Sequence, residues 1–120
     1  MATVTLSAAD FESTVIEHDI VLVDFWAAWC GPCRQFGPIF ERDSQEHPDV
    51  LFAKVDTEAE QELAAAAQIT SIPTLMAFKD GVLVFSQAGA LPASALGQVI
   101  TAVKELDLEQ ARRDAEATGS

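Results

Sequence analysis

The chain has 120 residues, of which 49% are hydrophobic, and this is enough for a single domain with its own core. Its 19 acidic and 7 basic side chains give a net charge of -12, and a surface this acidic repels the phosphate backbone of nucleic acids. No apolar stretch approaches the roughly 20 residues that a membrane-spanning helix needs. These properties predict a globular protein that binds neither nucleic acid nor a membrane.

The beginning of the chain predicts a strand, a helix and a second strand. Val4 and Leu6 alternate with polar residues as in a short strand, and Ser7 with Asp10 resembles a capping box that opens a helix. The range 20–26 is apolar except for one aspartate. A strand that is apolar on both faces belongs in the middle of a sheet that is covered on both sides.

A helix is predicted soon after this strand. Phe36, Ile39 and Phe40 recur at helical spacing, which indicates one apolar face. Pro38 stands inside the pattern and predicts a kink, because proline lacks the N–H that an interior helical residue donates. We expect the helix to begin at the turn that carries the two cysteines, 30–33.

The next segment repeats the order of strand and helix. The range 50–56 is typical of another buried strand, and Thr57 with Glu60 resembles a second capping box. This box is predicted to open an alanine-rich helix that runs to about Gln68. Strand, helix and strand follow one another as in a βαβ unit.

The second half of the chain predicts a hairpin and a last helix. The ranges 74–78 and 82–85 are short and apolar, and KDG at 79–81 separates them as in a tight turn, so this pair is antiparallel. Pro92 suits the first turn of the helix. The apolar face of that helix is formed by Leu96, Val99, Ile100, Val103 and Leu106.

The end of the chain differs in composition from the rest. Beyond Leu108 it is charged and alanine-rich without a continuing apolar stripe, so it is either a helix extension or a frayed tail. We therefore divide the chain into a domain at 1–108 and a charged C-terminal tail or helix extension at 109–120. The predicted order of elements is βαβαβαββα.

The chain has only two cysteines, Cys30 and Cys33, and they lie in one turn. A structural disulfide at this spacing would close a loop of about four residues and stabilise the fold by only about 2 kcal/mol. The first eleven residues lack the pattern of a secretory signal, so we expect a cytoplasmic protein. In that reducing compartment a close cysteine pair is more often catalytic or metal-binding than structural.

Redox chemistry is the function that this turn favours. The N-terminus of a helix lowers the pKa of a cysteine placed there, so Cys30 is expected to be the attacking thiolate. Gly31 permits a close turn and Pro32 fixes the backbone at the start of the helix, which brings Cys33 near the first sulfur. Cys33 is then expected to resolve the mixed disulfide that Cys30 forms with a substrate.

Several separated motifs resemble the thioredoxin family. They are WCGPC at 29–33 within a longer match at 23–33, SIPTL at 71–75 and FKDG at 78–81, in the order and at the spacing of that family. The resemblance covers about 7–106. It implies the thioredoxin fold, an α/β fold with a central mixed five-stranded sheet and four flanking helices. It also implies a protein dithiol–disulfide oxidoreductase that reduces protein disulfides.

Asp24 and Lys54 are charged residues inside predicted buried strands. An ionised carboxylate is costly to bury, so Asp24 is either a satisfied structural group or a functional one. The resemblance implies that it exchanges a proton with Cys33, through water. Lys54 taken alone is typical of an edge or snorkelling residue, and the resemblance implies instead that it is the ionic neighbour of Asp24.

The resemblance also implies a substrate-binding surface around the cysteines. Trp29 adjoins Cys30 at the mouth of the turn, and the bond before Pro73 is expected to be cis. The backbone of Ile72 is expected to pair with the substrate chain as an added strand. The substrate-binding residues implied in this way are Trp29, Gly31, Pro32, Ile72, Pro73 and Gly89.

A thioredoxin reductase is the recycling partner that the resemblance implies. The sequence has no cofactor-binding motif, so no bound cofactor is expected, and NADPH would supply electrons through the flavin of the reductase. The other expected partners are proteins with disulfide bonds, and the chain is expected to be a monomer. His18 and His47 do not complete a zinc spacing pattern with the two cysteines, so no metal site is expected.

Two alternatives remain open at this point. The same chemistry can run in the opposite direction, as in an oxidase or isomerase, because its direction depends on the reduction potential. The pair Gly31 and Pro32 resembles the reducing members of the family. The chain could also be a binding or assembly subunit with this fold, in which the redox chemistry is incidental.

Overall fold

Ten secondary-structure elements lie within residues 2–119, the part of the chain that this computed structural model describes. In chain order they are β1 (Thr3–Thr5), α1 (Ala8–Glu17), β2 (Ile20–Trp26), α2 (Gly31–Glu46), β3 (Leu51–Asp56), α3 (Gln61–Ala66), β4 (Thr74–Lys79), β5 (Val82–Ala88), α4 (Ala93–Glu105) and α5 (Leu108–Gly119). The predicted order is confirmed, with one further helix at the end.

The five strands form one mixed sheet in the order β1-β3-β2-β4-β5. The strands β1, β3 and β2 run parallel, whereas β4 is antiparallel to β2 and β5 is antiparallel to β4. The predicted mixed five-stranded sheet and its hairpin are therefore confirmed. β2 lies in the centre of the sheet, as the apolar range 20–26 predicted.

Helices cover both faces of the sheet, and successive side chains of β2 point to opposite faces. On one face Leu22 lies in a core cluster with Phe40 of α2. On the other face Phe25 packs against Phe11 of α1, with ring centroids 6.3 Å apart. Asp24 follows Leu22 at a spacing of two, so its carboxylate faces the α2 side.

The predicted start of α3 at Thr57 is wrong, because the hydroxyl of Thr57 is used elsewhere. Its Oγ1 donates a hydrogen bond to the carbonyl oxygen of Trp26 at 3.0 Å, and the helix begins only after Glu60. The carboxylate of Glu60 accepts a hydrogen bond from the N–H of Ala8 at 2.8 Å. The helix also ends before Gln68, whose φ of 59° lies in the left-handed region that terminates helices.

Two further elements differ in detail from the predictions. β1 ends at Thr5, and Leu6 lies just beyond it, where its N–H still donates to the carbonyl oxygen of Lys54 at 2.9 Å. α2 is one helix from Gly31 to Glu46, so the expected kink at Pro38 does not divide it.

The C-terminal segment is helical. Leu106 lies at the C-cap of α4, one position outside the helix that it was predicted to continue. α5 runs from Leu108 to Gly119 as a separate helix, and position 120 lies outside the described residues. Within residues 2–119, no helix combines the length and the apolar character needed to cross a membrane.

Candidate functional site

The two cysteines form a disulfide at the point where the chain enters α2. Cys30 is the N-cap of the helix, and its Sγ accepts a hydrogen bond from the backbone N–H of Cys33 at 3.2 Å. Gly31 and Pro32 are the first two helical residues between them. Both cysteines are 5% exposed, so only a small part of either sulfur-bearing residue is open to a partner. The prediction that the helix begins at this turn is confirmed.

The loop before β4 lies against the cysteine turn. The carbonyl oxygen of Ile72 is 3.7 Å from Cys30 Sγ, and the bond between Ile72 and Pro73 is cis, as the resemblance predicted. The N–H of Gly89 donates a hydrogen bond to the carbonyl oxygen of Pro73 at 2.7 Å. Gly89 has a φ of 103° and open space where a Cβ would stand, which leaves its backbone accessible at the surface.

Two tryptophans near the turn have different surroundings. Trp29 precedes Cys30 and is 66% exposed, so it is an apolar side chain at the surface beside the disulfide. Trp26 is half-buried and packs against the cysteine cluster. Its Nε1 is buried and has no hydrogen-bond partner among the described residues.

Asp24 is a carboxylate in the core of the sheet. It is 1% exposed, and within residues 2–119 neither of its oxygens has a hydrogen-bond partner. Burial raises the pKa of Asp24 to about 7, and the positive charge of Lys54 opposes part of this rise. A carboxyl group with such a pKa can both accept and release a proton near neutral pH.

Lys54 is the partner of Asp24 in the register between β2 and β3. It is therefore not on an edge strand, and its Nζ lies 5.1 Å from the centre of the Trp26 ring. Its side chain lines a cavity of about 500 Å³ between α2 and the β1 side of the sheet, and Cys33 lines the same cavity. The structure thus connects the lysine and the second cysteine by one open space.

Glu41 lies on the same cavity and was not predicted from the sequence. The signal that could have revealed it is the spacing of Cys33, Gly37 and Glu41, because residues four apart lie on one face of a helix. One carboxylate oxygen of Glu41 accepts a hydrogen bond from Thr3 Oγ1 at 2.7 Å, and the other is buried without a partner among the described residues.

Comparison with known proteins decides the family. The thioredoxin family model matches residues 2–102, which is most of the chain. The chain belongs to the thioredoxin family. With the disulfide-forming pair Cys30 and Cys33, this makes the protein a thiol–disulfide oxidoreductase.

Individual thioredoxins are similar over most of the chain. A thioredoxin 2 homologue of Streptomyces coelicolor is 51% identical over 112 residues, which are 93% of this chain and 84% of that protein. Thioredoxin 1 of Synechococcus elongatus is 45% identical over 94 residues, covering 77% and 88% of the two chains. The solved structure of a mutant thioredoxin from Halobacterium salinarum is 32% identical, with a TM-score of 0.80 over 88% of this chain and 92% of that chain.

In the part of the chain that the structure describes, no group of three or more histidine, cysteine, aspartate or glutamate side chains could hold a metal ion. The two histidines lie at helix ends, His18 after α1 and His47 after α2. His47 is half-buried, and its ring stacks on Phe52 with centroids 6.5 Å apart.

Proposed function

We propose that this thioredoxin reduces disulfide bonds in other proteins, with Cys30 as the attacking thiol and Cys33 as the resolving thiol. The observation that carries this assignment is the position of Cys30 at the N-cap of α2, where its sulfur accepts the N–H of Cys33. The free N–H groups and positive dipole end of a helix stabilise a thiolate at this position once the disulfide is reduced.

The proposed reaction transfers two electrons and passes through one mixed disulfide. The Cys30 thiolate attacks a substrate disulfide, and one substrate sulfur leaves as a thiolate that takes up a proton. The Cys33 thiol then loses its proton, and the resulting thiolate attacks Cys30 Sγ. The second substrate sulfur leaves, also to be protonated, and the protein now holds the disulfide between Cys30 and Cys33. The substrate has been reduced and the thioredoxin has been oxidised.

We propose that Asp24 accepts the proton that the Cys33 thiol loses. Its burial and its raised pKa of about 7 suit a group that takes a proton from a thiol in one half of the cycle and returns it in the other. Lys54 is assigned as its ionic neighbour, because its charge favours the ionised form of the carboxyl. In this assignment the exchange between Asp24 and Cys33 uses a water molecule.

The substrate chain is proposed to bind across the turn and the loop before β4. The exposed ring of Trp29 offers apolar contact, and the backbone of Ile72 and the open side of Gly89 offer room for an extended peptide. Gly31 and Pro32 complete this surface, which we name the docking surface. The proposal also includes Pro73, whose side chain is buried. Its proximity to Cys30 is supported by the 3.7 Å between Cys30 Sγ and the carbonyl oxygen of Ile72.

The cycle closes when a thioredoxin reductase returns two electrons to the disulfide. In this proposal the reductase holds the flavin and draws on NADPH, and the thioredoxin itself binds no cofactor. We propose the cytoplasm as the compartment, because its systems keep protein thiols reduced. We further propose that 1–108 form the redox domain, that 109–120 are an extension of it, and that the working form is a monomer.

Insulin reduction tests the proposed function. Turbidity of reduced insulin is followed with dithiothreitol as reductant, and then with a thioredoxin reductase and NADPH. The wild type is expected to accelerate both reactions, and Cys30→Ser is expected to lose this activity. Cys33→Ser is expected to accumulate a mixed disulfide with the substrate, visible on a non-reducing gel, because the resolving thiol is missing.

Two results would count against the proposal. A wild type no faster than dithiothreitol alone would favour the alternative of a binding or assembly subunit. Accumulation of the mixed disulfide in Cys30→Ser, rather than in Cys33→Ser, would reverse the roles of the two cysteines.

A further inference from the structure

The cavity beside Cys33 brings the ammonium group of Lys54 and the carboxylate of Glu41 into the same region. Three of its lining residues, Cys33, Gly37 and Glu41, lie along one face of α2, and Lys54 faces them from β3. Asp24 is next to Lys54 in the register of the sheet. Lys54 is therefore placed between Asp24 in the core and Glu41 farther along α2.

The charged groups of this region are not paired with one another. Within residues 2–119, Lys54 Nζ makes no salt bridge and no hydrogen bond, and neither oxygen of Asp24 has a hydrogen-bond partner. Glu41 uses one oxygen to accept from Thr3 Oγ1, and its Oε1 is buried without a partner. A buried charge without a partner is costly, so the ionised form of each carboxylate is stabilised when the ammonium group approaches it.

The lysine side chain reaches across the cavity to α2. Its Nζ is 3.8 Å from the point where a Cβ would stand at Gly37, so the ammonium group lies beside this turn of the helix. Glu41 is one helical turn, about 5.4 Å, beyond Gly37. Helical side chains tilt toward the N-terminus of their helix, and this directs Glu41 back toward Gly37 and Lys54.

We propose that Lys54 is shared between Asp24 and Glu41, and that Glu41 thereby adjusts the proton affinity of Asp24 during thiol–disulfide exchange. Glu41 is a positioning residue in this proposal, because it acts through Lys54 and does not touch the reacting sulfurs. The inference rests on the proposed proton-transfer role of Asp24 only for its effect on activity. The effect of Glu41 on Asp24 itself can be measured without any substrate.

The other charged and titratable groups around Asp24 do not replace Glu41 in this role. On α2, Cys33 and Arg34 also line the cavity. The Arg34 guanidinium donates a hydrogen bond to the carbonyl oxygen of Ala28 at 3.0 Å. The β1 strand contributes only the hydroxyls of Thr3 and Thr5. The register partner of Asp24 on β4 is the uncharged Leu75.

The sign of the effect follows from these charges. In wild type, Glu41 draws the ammonium group away from Asp24 and repels the ionised form of that carboxyl. Glu41→Gln removes both effects and can still accept the hydrogen bond from Thr3. The pKa of Asp24 is therefore expected to fall in this variant, because the ionised carboxylate gains a larger share of Lys54.

The test is an NMR titration of the Asp24 side-chain carbon in the full oxidised chain. Glu41→Gln is expected to lower the Asp24 pKa by about 0.5 to 1 unit. Glu46→Gln removes an equal charge from an exposed position of the same helix and is expected to cause no shift. Glu41→Asp keeps the charge, and the pKa of Asp24 in this variant is expected to stay near that of the wild type.

A double-mutant cycle separates sharing of Lys54 from simple repulsion. In a Lys54→Met background, Glu41→Gln is expected to shift the Asp24 pKa by less than half as much as in wild type. An undiminished shift in that background would overturn the proposal. So would no shift in Glu41→Gln, or an equal shift in Glu46→Gln.

Activity distinguishes this inference from the proposed role of Asp24. If Asp24 takes the proton of Cys33, the acidic limb of the pH profile for insulin reduction is expected to move down in Glu41→Gln by the same amount as the pKa. If Asp24→Asn keeps the full activity and pH profile of the wild type, the proposed role of Asp24 fails. The pKa shift in Glu41→Gln would then still decide whether Lys54 is shared.

Discussion

Asp24 on β2 and Lys54 on β3 are register partners in two parallel strands, yet they form no salt bridge within residues 2–119. The charge of Lys54 lowers the pKa of Asp24, but burial outweighs it. The carboxyl group therefore remains protonated up to about neutral pH. This relationship connects the proposed proton transfer at the redox site with the stability of the fold.

The first prediction concerns the pH dependence of stability. Because the pKa of Asp24 is raised to about 7 on folding, the folded chain holds this proton more tightly than the unfolded chain does. The energetic cost of ionising the buried carboxyl is absent below the pKa of the unfolded chain. It grows as the pH rises from there through about 7. Asp24→Asn is expected to raise the free energy of unfolding at about pH 8 by up to about 4 kcal/mol, with little change near pH 4.

Urea unfolding of oxidised wild type and Asp24→Asn at several pH values measures this difference. The expected signature is a gap between the two proteins that widens with pH. A gap that is the same at about pH 4 and about pH 8 would show that the carboxyl does not titrate as proposed.

The second prediction concerns Lys79, whose ammonium group binds the C-terminal end of α4. Its Nζ donates hydrogen bonds to the carbonyl oxygens of Val103, Lys104 and Leu106 at 2.7, 3.0 and 2.7 Å. Carbonyls at a helix end have no partner within the helix, and a cation there also interacts favourably with the dipole. Lys79→Met is expected to reduce the free energy of unfolding by about 2 kcal/mol.

Lys104→Met is the matched control for Lys79, measured by urea unfolding at neutral pH. Lys104 lies in the last turn of the same helix, but its salt bridge goes to the exposed Asp49 at 3.0 Å, so a smaller loss is expected. Both variants are expected to keep wild-type insulin reduction per folded molecule. Equal losses in the two variants would argue against a special role of the Lys79 contacts.

The third prediction compares two glycines. Gly89 has a φ of 103°, so Gly89→Ala is expected to strain the backbone and destabilise the protein by about 1 to 2 kcal/mol. Gly97 lies within α4 with no atom near the site of a new Cβ, so Gly97→Ala is expected to stabilise by about 0.5 to 1 kcal/mol. Thermal unfolding of both variants gives the signs, and two shifts of the same sign would contradict the expected contrast between the two positions.

The fourth prediction concerns the exposed ring of Trp29 on the docking surface. Trp29→Ala is expected to change the free energy of unfolding by less than about 0.5 kcal/mol, because the ring is mostly in solvent. Reduction of a protein disulfide is expected to slow, whereas reduction of a small aromatic disulfide is expected to change less. The kinetics with insulin and with the small disulfide measure this contrast.

Ile16 provides the control for Trp29. It is a comparably exposed apolar side chain, at 63%, on α1 and outside the docking surface. Ile16→Ala is expected to leave both activities unchanged. An equal loss of insulin reduction in the two variants would indicate that exposed apolar area in general, and not its place beside Cys30, decides substrate binding.

The success and failure of the local predictions have physical causes. The range 20–26 was predicted as a central strand because its apolar run needs cover on both faces, and the structure agrees. The cap at Thr57 was predicted wrongly because its hydroxyl donates a hydrogen bond to a distant group, the carbonyl oxygen of Trp26. A short polar side chain can satisfy several partners, and only the folded chain decides between them.

The sequence by itself determined the elements and the redox pair. Strands, helices and the turn with Cys30 and Cys33 depend on residues within a few positions of each other, and their spacing is visible in the chain. Only the tertiary structure decided which distant residues meet. Ile72 lies 42 positions from Cys30, and the cavity joins β1, α2 and β3 around Lys54 and Glu41. Such contacts arise from the packing of a helix on the sheet, and no local pattern in the sequence predicts them.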